Sequence, residues 1–257
     1  PDGTPKSVAY TPKLVHAYRD RNGELLAYVL RVDIDAGKKI TPCILWMENE
    51  ATGFAGWSHG KLPEPRPPYG LPDLYARPDY QVLIVEGEKC RDRARELLAD
   101  KLTPIAWQGG AKAIEKTNWK HLAGRRVVIW PDNDPEGENT VLGFYDRQGE
   151  WRRGLVEIAL ENGATAIKVI TRPGAAKPKG GDIADAHDLD KWNAAAILSF
   201  ARENAKPWTI ETIESRKADL KATPAPPPEE QAPKTEAKPT RQEKPAPDKL
   251  PPERPRE

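Results

Sequence analysis

The sequence predicts an α/β fold: a mainly parallel, four-stranded sheet flanked by helices, preceded by a small β-rich (α+β) subdomain and followed by a disordered tail. Three observations support this prediction. Between residues 80 and 210, short apolar runs alternate with segments of helical periodicity, as parallel strands with crossover helices require. A hairpin signal precedes this region, and a proline-rich segment follows it. We therefore divide the chain into residues 1–78, 79–210 and 211–257.

Four apolar runs have the length and composition of buried strands, and each stops at glycine, proline or a carboxylate. In chain order they are "YQVLIVEG", "TPIAWQGG", "RRVVIWPD" and "TAIKVITRP". Three segments with helical spacing lie between or after them: "EKCRDRARELLADK", "EWRRGLVEIALENGA" closed by Gly163, and "DKWNAAAILSFARENAK". This alternation predicts helices on both faces of the sheet.

The region before the sheet is predicted to consist of amphipathic strands. The stretch "YRDRNGELLAYVLRVDIDAGKKITPCILW" contains Asn22-Gly23, a strong hairpin signal. Trp46, Phe54 and Trp57 cluster nearby. Packing against the sheet is the favoured role of these rings, and a stacking platform for single-stranded DNA is the alternative.

The last segment, residues 211–257, is assigned to a linker or disordered tail. From Thr223 onward it is rich in proline and charge, with Leu250 as its single large aliphatic side chain. Such a segment buries too little apolar surface to offset its ordering entropy. A docking peptide built on "APPP" is a weaker alternative to a plain spacer.

Charge and cysteine content exclude several classes of protein. The net charge of +1 excludes a strongly basic nucleic-acid coat, so any site for a polyanion has to be local. Cys43 and Cys90 lack the spacing of a zinc site or a disulfide scaffold. No apolar run is long enough to cross a bilayer. A reducing, cytoplasmic setting without a membrane partner is expected.

Polar residues collect at the carboxyl ends of the predicted strands, where parallel sheets bind their ligands. These positions are Glu86, Gly109-Gly110, Asp132 with Asp134, and Asp182 in "KGGDIADA". Carboxylates from adjacent strand ends suit Mg²⁺, and without a cation their like charges repel each other. Each motif alone is more often an ordinary turn, but the combination favours a metal site. Glu136 is expected to be a solvated turn residue.

The motifs "VLIVEGEK", "WQGGAKAI", "VVIWPDNDPEG" and "KGGDIADA", in this order, resemble the TOPRIM domain shared by bacterial-type primases, topoisomerases and several nucleases. The resemblance spans about half of the chain. It implies a Mg²⁺ or Mn²⁺ site in which Glu86, Asp132 and Asp134 are catalytic residues and metal ligands. A mechanism with a second metal position would place Asp182, and also Asp185, near it.

The region before the first motif distinguishes the branches of this superfamily. Its hairpin and the segment "PPYGL" resemble the stretch that precedes TOPRIM in primases, especially the phage and plasmid primase–helicase proteins with "VEGEK". The resemblance implies a primase catalytic core that makes short primers on single-stranded DNA from ribonucleoside triphosphates. It also implies a helicase partner, fused or separate.

Several basic residues are candidates for binding the nucleotide or DNA. By resemblance, Arg31 and Lys39 match positions of the primase preface that contact the template or the incoming nucleotide. Further phosphate-contact candidates are Lys61, Lys112, Lys179 and the backbone at Gly109 and Gly110. For a single lysine or arginine, a solvated surface position remains the alternative.

Two features depart from the primase pattern. Many primases have an aspartate four residues after the motif glutamate, where this chain has Cys90, and Glu88 is a candidate substitute. The segment 138–151 is longer than usual and is expected to form a lid or hairpin beside the site. Two other functions remain open: a TOPRIM-type nuclease or strand-transfer enzyme, and a non-catalytic nucleic-acid-binding module.

Overall fold

The computed structural model describes residues 11–35, 38–170 and 181–222 of the chain. They form an antiparallel sheet, a mainly parallel sheet with helices on its faces, and a short separate hairpin. None of the helices in these ranges is long and apolar enough to cross a membrane. The α/β class predicted from the alternation of strands and helices is confirmed.

The antiparallel sheet corresponds to the predicted β-rich region. Its strands are β1 (Leu14–Arg19), β2 (Leu25–Asp35), β3 (Lys38–Ile40), β4 (Cys43–Asn49) and β5 (Phe54–Gly60). They follow the order β1-β2-β4-β5, and β3 pairs with β2. The turn between β1 and β2 contains Gly23, whose φ of 92° is a conformation that glycine adopts without strain. Asp20 stabilises this turn by accepting hydrogen bonds from the amides of Asn22 and Glu24.

The remaining elements alternate as the sequence predicts. They are α1 (Leu71–Ala76), β6 (Gln81–Glu86), α2 (Glu88–Leu98), β7 (Leu102–Trp107), β8 (Arg126–Trp130), α3 (Pro135–Leu142), β9 (Phe144–Tyr145), β10 (Trp151–Arg152), α4 (Leu155–Glu161), β11 (Ala166–Ile170), α5 (Ile183–Asp188), α6 (Ala194–Asn204), β12 (Ala205–Trp208) and α7 (Ile210–Ala222). Two short 3₁₀ helices, Ala111–Lys116 and Trp119–Leu122, connect β7 to β8.

The order of strands in the second sheet determines where its ligand site lies. The order is β12-β11-β8-β6-β7, and β6, β7, β8 and β11 are parallel. The chain leaves β6 toward β7 on one side, and leaves β8 toward β11 on the other. The boundary between β6 and β8 is therefore a topological switch point, the usual position of a ligand crevice in open α/β sheets.

Two elements at the far edge of this sheet differ from the sequence prediction. Strand β12 is a fifth, antiparallel strand paired with β11, and its Pro207 is tolerated because the strand lies at an edge. Helix α7 lies inside residues 211–257, so the predicted start of the tail was too early for residues 211–222. The helix is anchored by the buried side chain of Ile213, and Lys217 pairs with Glu157 at 3.1 Å. The prediction for residues 223–257 lies outside the described residues.

The two sheets share one hydrophobic core. Tyr18, Val29 and Leu62 from the first region belong to the same buried cluster as Leu83 and Val85 from the second. The other face of the parallel sheet has its own cluster under α3, α4 and the 3₁₀ helices. Because the first cluster spans both sheets, the antiparallel sheet is held in a fixed position beside helix α2.

Buried hydrogen bonds join strand β1 to helix α2. The Tyr18 hydroxyl donates to Glu88 Oε1 at 2.8 Å, and His16 Nδ1 lies 2.8 Å from Asp92 Oδ2. Tyr69 also donates to Asp92, at 3.1 Å. Burial, together with the neighbouring Glu88 carboxylate, raises the pKa of Tyr18 well above its usual value, so this hydroxyl remains a donor. These bonds fix the position of α2 relative to the first sheet.

Replacing Tyr18 by Phe is expected to lower the free energy of unfolding by about 1.5–3 kcal/mol, because the buried Glu88 carboxylate loses its donor. Urea denaturation measures the change. Tyr28→Phe on strand β2 is the matched control, since the Tyr28 hydroxyl makes no hydrogen bond within the described ranges. An equal, small effect of both variants would contradict the importance of the Tyr18–Glu88 bond.

Candidate active site

The predicted acidic residues lie at loops that follow the parallel strands. Glu86 is the last residue of β6, and Gly87, with a φ of 79°, turns the chain into α2. Asp134 follows β8 and caps α3, where its side chain accepts a hydrogen bond from the amide of Gly137 at 2.8 Å. Asp182 caps α5 in the same way through the amide of Asp185, at 2.9 Å. Two of the predicted metal ligands therefore also stabilise the start of a helix.

A cavity of about 280 Å³ opens at the switch point between β6 and β8. All three predicted catalytic carboxylates, both predicted glycines and one predicted lysine line this cavity. The lining residues are Glu86, Gly109, Gly110, Ala111, Lys112, Asp132, Asp134, Glu136 and Gly137. The structure thus brings together, in one cavity, residues from three separate loops of the sequence.

The cavity is electrostatically unfavourable for a negative charge on Glu86. Burial raises the pKa of Glu86 to about 7, and the carboxylates of Glu136 and Asp134 add to this effect. The charge of Lys39, on strand β3, acts in the opposite direction and lowers the pKa. Glu136 was expected to be a solvated turn residue. It is exposed, as expected, and it also lines the cavity, where its charge acts on Glu86.

Asp182 lies beside this cavity but does not line it. The amide of Asn133 donates to the carbonyl of Gly181 at 3.1 Å, which holds the Asp182 loop against the loop after β8. Burial raises the pKa of Asp182. Cys90 is fully buried, and the charges of Asp182 and Asp132 add to the effect of burial in raising the pKa of its thiol. The position four residues after Glu86 is therefore occupied by a neutral thiol close to two carboxylates.

The carboxylates suit a hard metal ion by their chemistry, but they do not form a closed ligand set. Among the described residues, no group of three or more His, Cys, Asp or Glu side chains is close enough to hold a metal ion. Glu86, Asp132 and Asp134 nevertheless line one cavity and offer only oxygen donors, which Mg²⁺ and Mn²⁺ prefer. The donor set fits such an ion, and the side chains have to turn toward it to coordinate it.

The predicted basic residues are distributed unevenly around the cavity. Lys112 lines it, and Lys39 acts on Glu86 from the first sheet. Arg31, on β2, is paired with Asp33 at 3.3 Å. Lys61 is an exposed residue after β5 and does not line the cavity. Lys179 lies outside the described residues.

The segment predicted to form a lid or hairpin forms a hairpin, with β9 paired to β10. It packs away from the cavity: Trp151 Nε1 donates to Glu157 on α4 at 2.8 Å, and Tyr145 packs edge-to-face on Trp151. Of the aromatic residues near the strand ends, Trp107 and Trp119 are buried and pack on each other. Trp46 and Trp57 contact each other on the first sheet, where both are half-buried.

Comparison with known proteins finds similar folds among solved structures. No family profile matches the sequence, and no curated protein matches it. A primase structure from Aquifex aeolicus, with zinc-binding and RNA polymerase domains, aligns with a TM-score of 0.52 and 12% identity, over 83% of this chain and 45% of that one. Over most of its length, the chain therefore has a fold similar to that of this primase structure. It spans less than half the length of the Aquifex chain.

Two other primase structures align with lower scores. The primase domains of bacteriophage T7, bound to an RNA/DNA hybrid and dTTP beside the lagging-strand DNA polymerase, give a TM-score of 0.47 and 18% identity, over 76% of this chain and 78% of theirs. A DnaG primase catalytic domain bound to single-stranded DNA gives 0.48 and 17%, over 84% and 59% of the two chains.

Proposed function

We propose that this chain is the catalytic core of a DNA primase, or of a primase–helicase, and that it synthesises short primers on single-stranded DNA from ribonucleoside triphosphates by metal-dependent nucleotidyl transfer. The observation that supports this most directly is the cavity at the switch point, lined by Glu86, Asp132 and Asp134, in a chain with a primase-like fold. A helicase, fused or separate, is the proposed partner.

The residues of the cavity are suited to phosphoryl chemistry. Glu86, Asp132 and Asp134 would hold Mg²⁺ or Mn²⁺, with Asp182 beside them. When bound, such an ion neutralises phosphate charge and lowers the pKa of an attacking 3′-hydroxyl. Lys112 lines the cavity, and the charge of Lys39 reaches Glu86, so both supply positive charge close to the carboxylates. The cationic side chains would orient the triphosphate, while the carboxylates would hold the metal ion.

Primer synthesis by the purified chain tests this proposal. The chain is incubated with single-stranded DNA, labelled ribonucleotides or deoxynucleotides, and Mg²⁺ or Mn²⁺, and the products are separated by size. Template-dependent primers are the expected result, with reactions lacking template as the control. Degraded DNA would indicate the nuclease or strand-transfer alternative, and binding without turnover would indicate the non-catalytic module; either outcome overturns the proposal.

Metal binding is expected to depend on pH through Glu86. Because the pKa of Glu86 is about 7 instead of 4.5, a proton competes with the metal ion at pH 6 but not at pH 8. The apparent affinity for Mn²⁺ should rise by up to about tenfold per pH unit below 7 and then level off. Titration calorimetry at pH 6, 7 and 8 measures this.

In the metal-free protein, the contribution of Glu86 to the free energy of unfolding should fall as the pH rises, whereas the affinity for the metal ion rises. The folded state binds the Glu86 proton more tightly than the unfolded chain does, so the associated stability is present below pH 4.5 and is lost as pH rises through about 7. Glu86→Gln is the control, since it removes the titrating group. Equal pH dependence of Mn²⁺ binding in this variant and the wild type would contradict the assignment.

A further inference from the structure

The antiparallel sheet has an outer face that does not contribute to the shared hydrophobic core. Tyr18, Val29 and Cys43 belong to that core, so the residues that alternate with them along the strands lie on the other face. Strand pairing brings these residues together across the sheet: Ala17 with Tyr28, Tyr28 with Ile44, Ile44 with His59, and Trp46 with Trp57. The outer face is therefore mainly apolar and aromatic.

Three aromatic rings form the centre of this outer face. The ring centroid of Trp57 lies 5.1 Å from that of Tyr28, with the planes 51° apart, and 5.7 Å from that of Trp46, in an edge-to-face arrangement. All three side chains are half-buried, and together they form what we call the aromatic face. Rings set at steep angles to each other leave grooves between them, and aromatic-lined grooves bind proline-rich segments in the polyproline II conformation.

The polar groups of the aromatic face favour a ligand that accepts hydrogen bonds. Trp57 Nε1 is buried and has no acceptor among the described residues, and within the same ranges the Tyr28 hydroxyl makes no hydrogen bond. Trp46 Nε1, in contrast, donates to Glu48 at 2.8 Å. Buried N–H groups normally find an acceptor. A proline-rich backbone offers carbonyl acceptors and few N–H donors, so its chemistry complements this face.

The charge of the outer face does not suit single-stranded DNA. Ala17 and Ile44, which pair with Tyr28, are apolar, and the next outward pair along β4 and β5 after the two tryptophans is Glu48 with Ala55. Binding of a DNA strand requires cations along its phosphate backbone as well as rings for its bases. A carboxylate beside the rings favours a ligand with positive charge instead.

The chain itself contains a segment with these properties. Residues 249–256 read "KLPPERPR", with three prolines, one large aliphatic side chain and three basic residues against one acid. Prolines favour the polyproline II conformation before binding, which lowers the entropic cost of docking. An earlier proline-rich stretch, residues 223–231, reads "TPAPPPEEQ". It has no large apolar side chain, and its two acidic residues would be repelled by Glu48.

The length of chain that follows α7 also favours the later segment. Helix α7 packs against α4, and its Ile213 belongs to the cluster on the face of the parallel sheet that lies away from the antiparallel sheet. A globular unit of about 200 residues is roughly 45 Å across. A spacer as long as residues 223–248 spans roughly 30 Å as a flexible coil and up to about 80 Å as polyproline II. Residues 249–256 can therefore reach the aromatic face, whereas Pro224 follows α7 too closely to do so.

We propose that the aromatic face binds residues 249–256 of the same chain as a proline-rich ligand. The prolines and Leu250 pack on the rings, a backbone carbonyl of the segment accepts the Trp57 indole N–H, and the arginines lie near Glu48. Because the segment is tethered, its effective concentration is in the millimolar range, and a weak contact is enough to hold it. This inference does not depend on the proposed primer synthesis.

The NMR signal of the Trp57 indole N–H in the full chain tests the inference, and Trp57→Phe identifies this signal. A tail variant that combines Pro251→Ala, Pro252→Ala and Pro255→Ala should shift the signal, because the carbonyl acceptor and the packing around the ring are lost. A control variant that combines Pro224→Ala, Pro226→Ala and Pro227→Ala should leave the signal at its wild-type position.

Added peptides measure the same contact in the tail variant. A peptide of residues 248–257 should restore the wild-type signal, and a peptide of residues 223–231 at the same concentration should not. Trp46→Ala should weaken binding of the first peptide by at least about tenfold. Phe54→Ala is its matched control, because it removes an exposed ring from the opposite face of β5, and its affinity should stay within about twofold. Glu48→Lys should weaken binding by roughly three- to tenfold at low salt.

The inference is overturned by an unchanged Trp57 signal in the tail variant, by equal restoration with both peptides, or by full affinity in both Trp46→Ala and Glu48→Lys. A wild-type signal that shifts with protein concentration would assign the contact to a second copy of the chain. Restoration by oligothymidylate but not by the peptide of residues 248–257 would assign the face to single-stranded DNA. Either result also overturns the inference. Thermal unfolding confirms that each variant is folded.

Discussion

Replacing Asp132 or Asp134 by Asn is expected to reduce primer synthesis by at least about a thousandfold, because each change removes a carboxylate that would hold the metal ion. The fold should survive, particularly in Asp134→Asn. Asp134 caps helix α3 by accepting the Gly137 amide, and asparagine is an equally good helix cap. Circular dichroism and urea denaturation check the fold, and gel separation of labelled primers measures the activity.

Glu138→Gln is the matched control for these variants. Glu138 is an exposed carboxylate on the same helix, paired with Arg216 at 3.1 Å and not part of the cavity. Its variant should synthesise primers at the wild-type rate. Wild-type activity in both aspartate variants would refute the assignment of the acidic site, and equal loss in Glu138→Gln would show that charge alone is responsible.

Gly137→Ala is expected to lower both the stability of the protein and its primer synthesis, although alanine usually stabilises a helix. A Cβ at position 137 would lie 2.6 Å from the carbonyl oxygen of Asp132 and 3.0 Å from its amide nitrogen. Both atoms belong to the backbone, so either helix α3 or the Asp132 loop has to move. We expect a loss of about 1–3 kcal/mol in the free energy of unfolding and a roughly 100-fold loss of primer synthesis.

Gly149→Ala separates the loss of activity from the loss of stability. Gly149 lies in the hairpin turn with a φ of 79° and no atom near its Cβ position, so alanine there strains the backbone by about 1–2 kcal/mol without touching the cavity. Urea denaturation and primer assays on both variants give the comparison. If Gly137→Ala retains activity like Gly149→Ala, the close packing of α3 on Asp132 is not needed for function.

Short-range patterns in the sequence predicted the parallel sheet and most of the cavity. Glu86, Asp132 and Asp134 each follow an apolar strand directly, and strands in a parallel sheet end at one edge, so their proximity follows from the local pattern. The predictions for Gly109, Gly110 and Lys112 place them next to the same strand ends, and they do line the cavity.

Features that depend on distant contacts were not predictable in this way. Arg66 is positioned by hydrogen bonds to Lys116 and Asn118, about fifty residues later in the chain. Strand β12 is only four residues long, contains a proline, and forms because β11 offers a free edge. Helix α7 buries a single large side chain, Ile213, so its sequence lacks the apolar stripe that identifies a docked helix.

The core shared by the two sheets has a consequence for how such proteins diversify. Tyr18 and Val29 from the antiparallel sheet pack in one cluster with Leu83 and Cys90 near the acidic site. A recombination event that exchanges only the antiparallel sheet would therefore mismatch the side chains of this cluster and leave Glu88 without its tyrosine donor. Chimaeras that fold should therefore require joint inheritance of strand β1 and helix α2, which links the evolution of the loop after Glu86 to that of the antiparallel sheet.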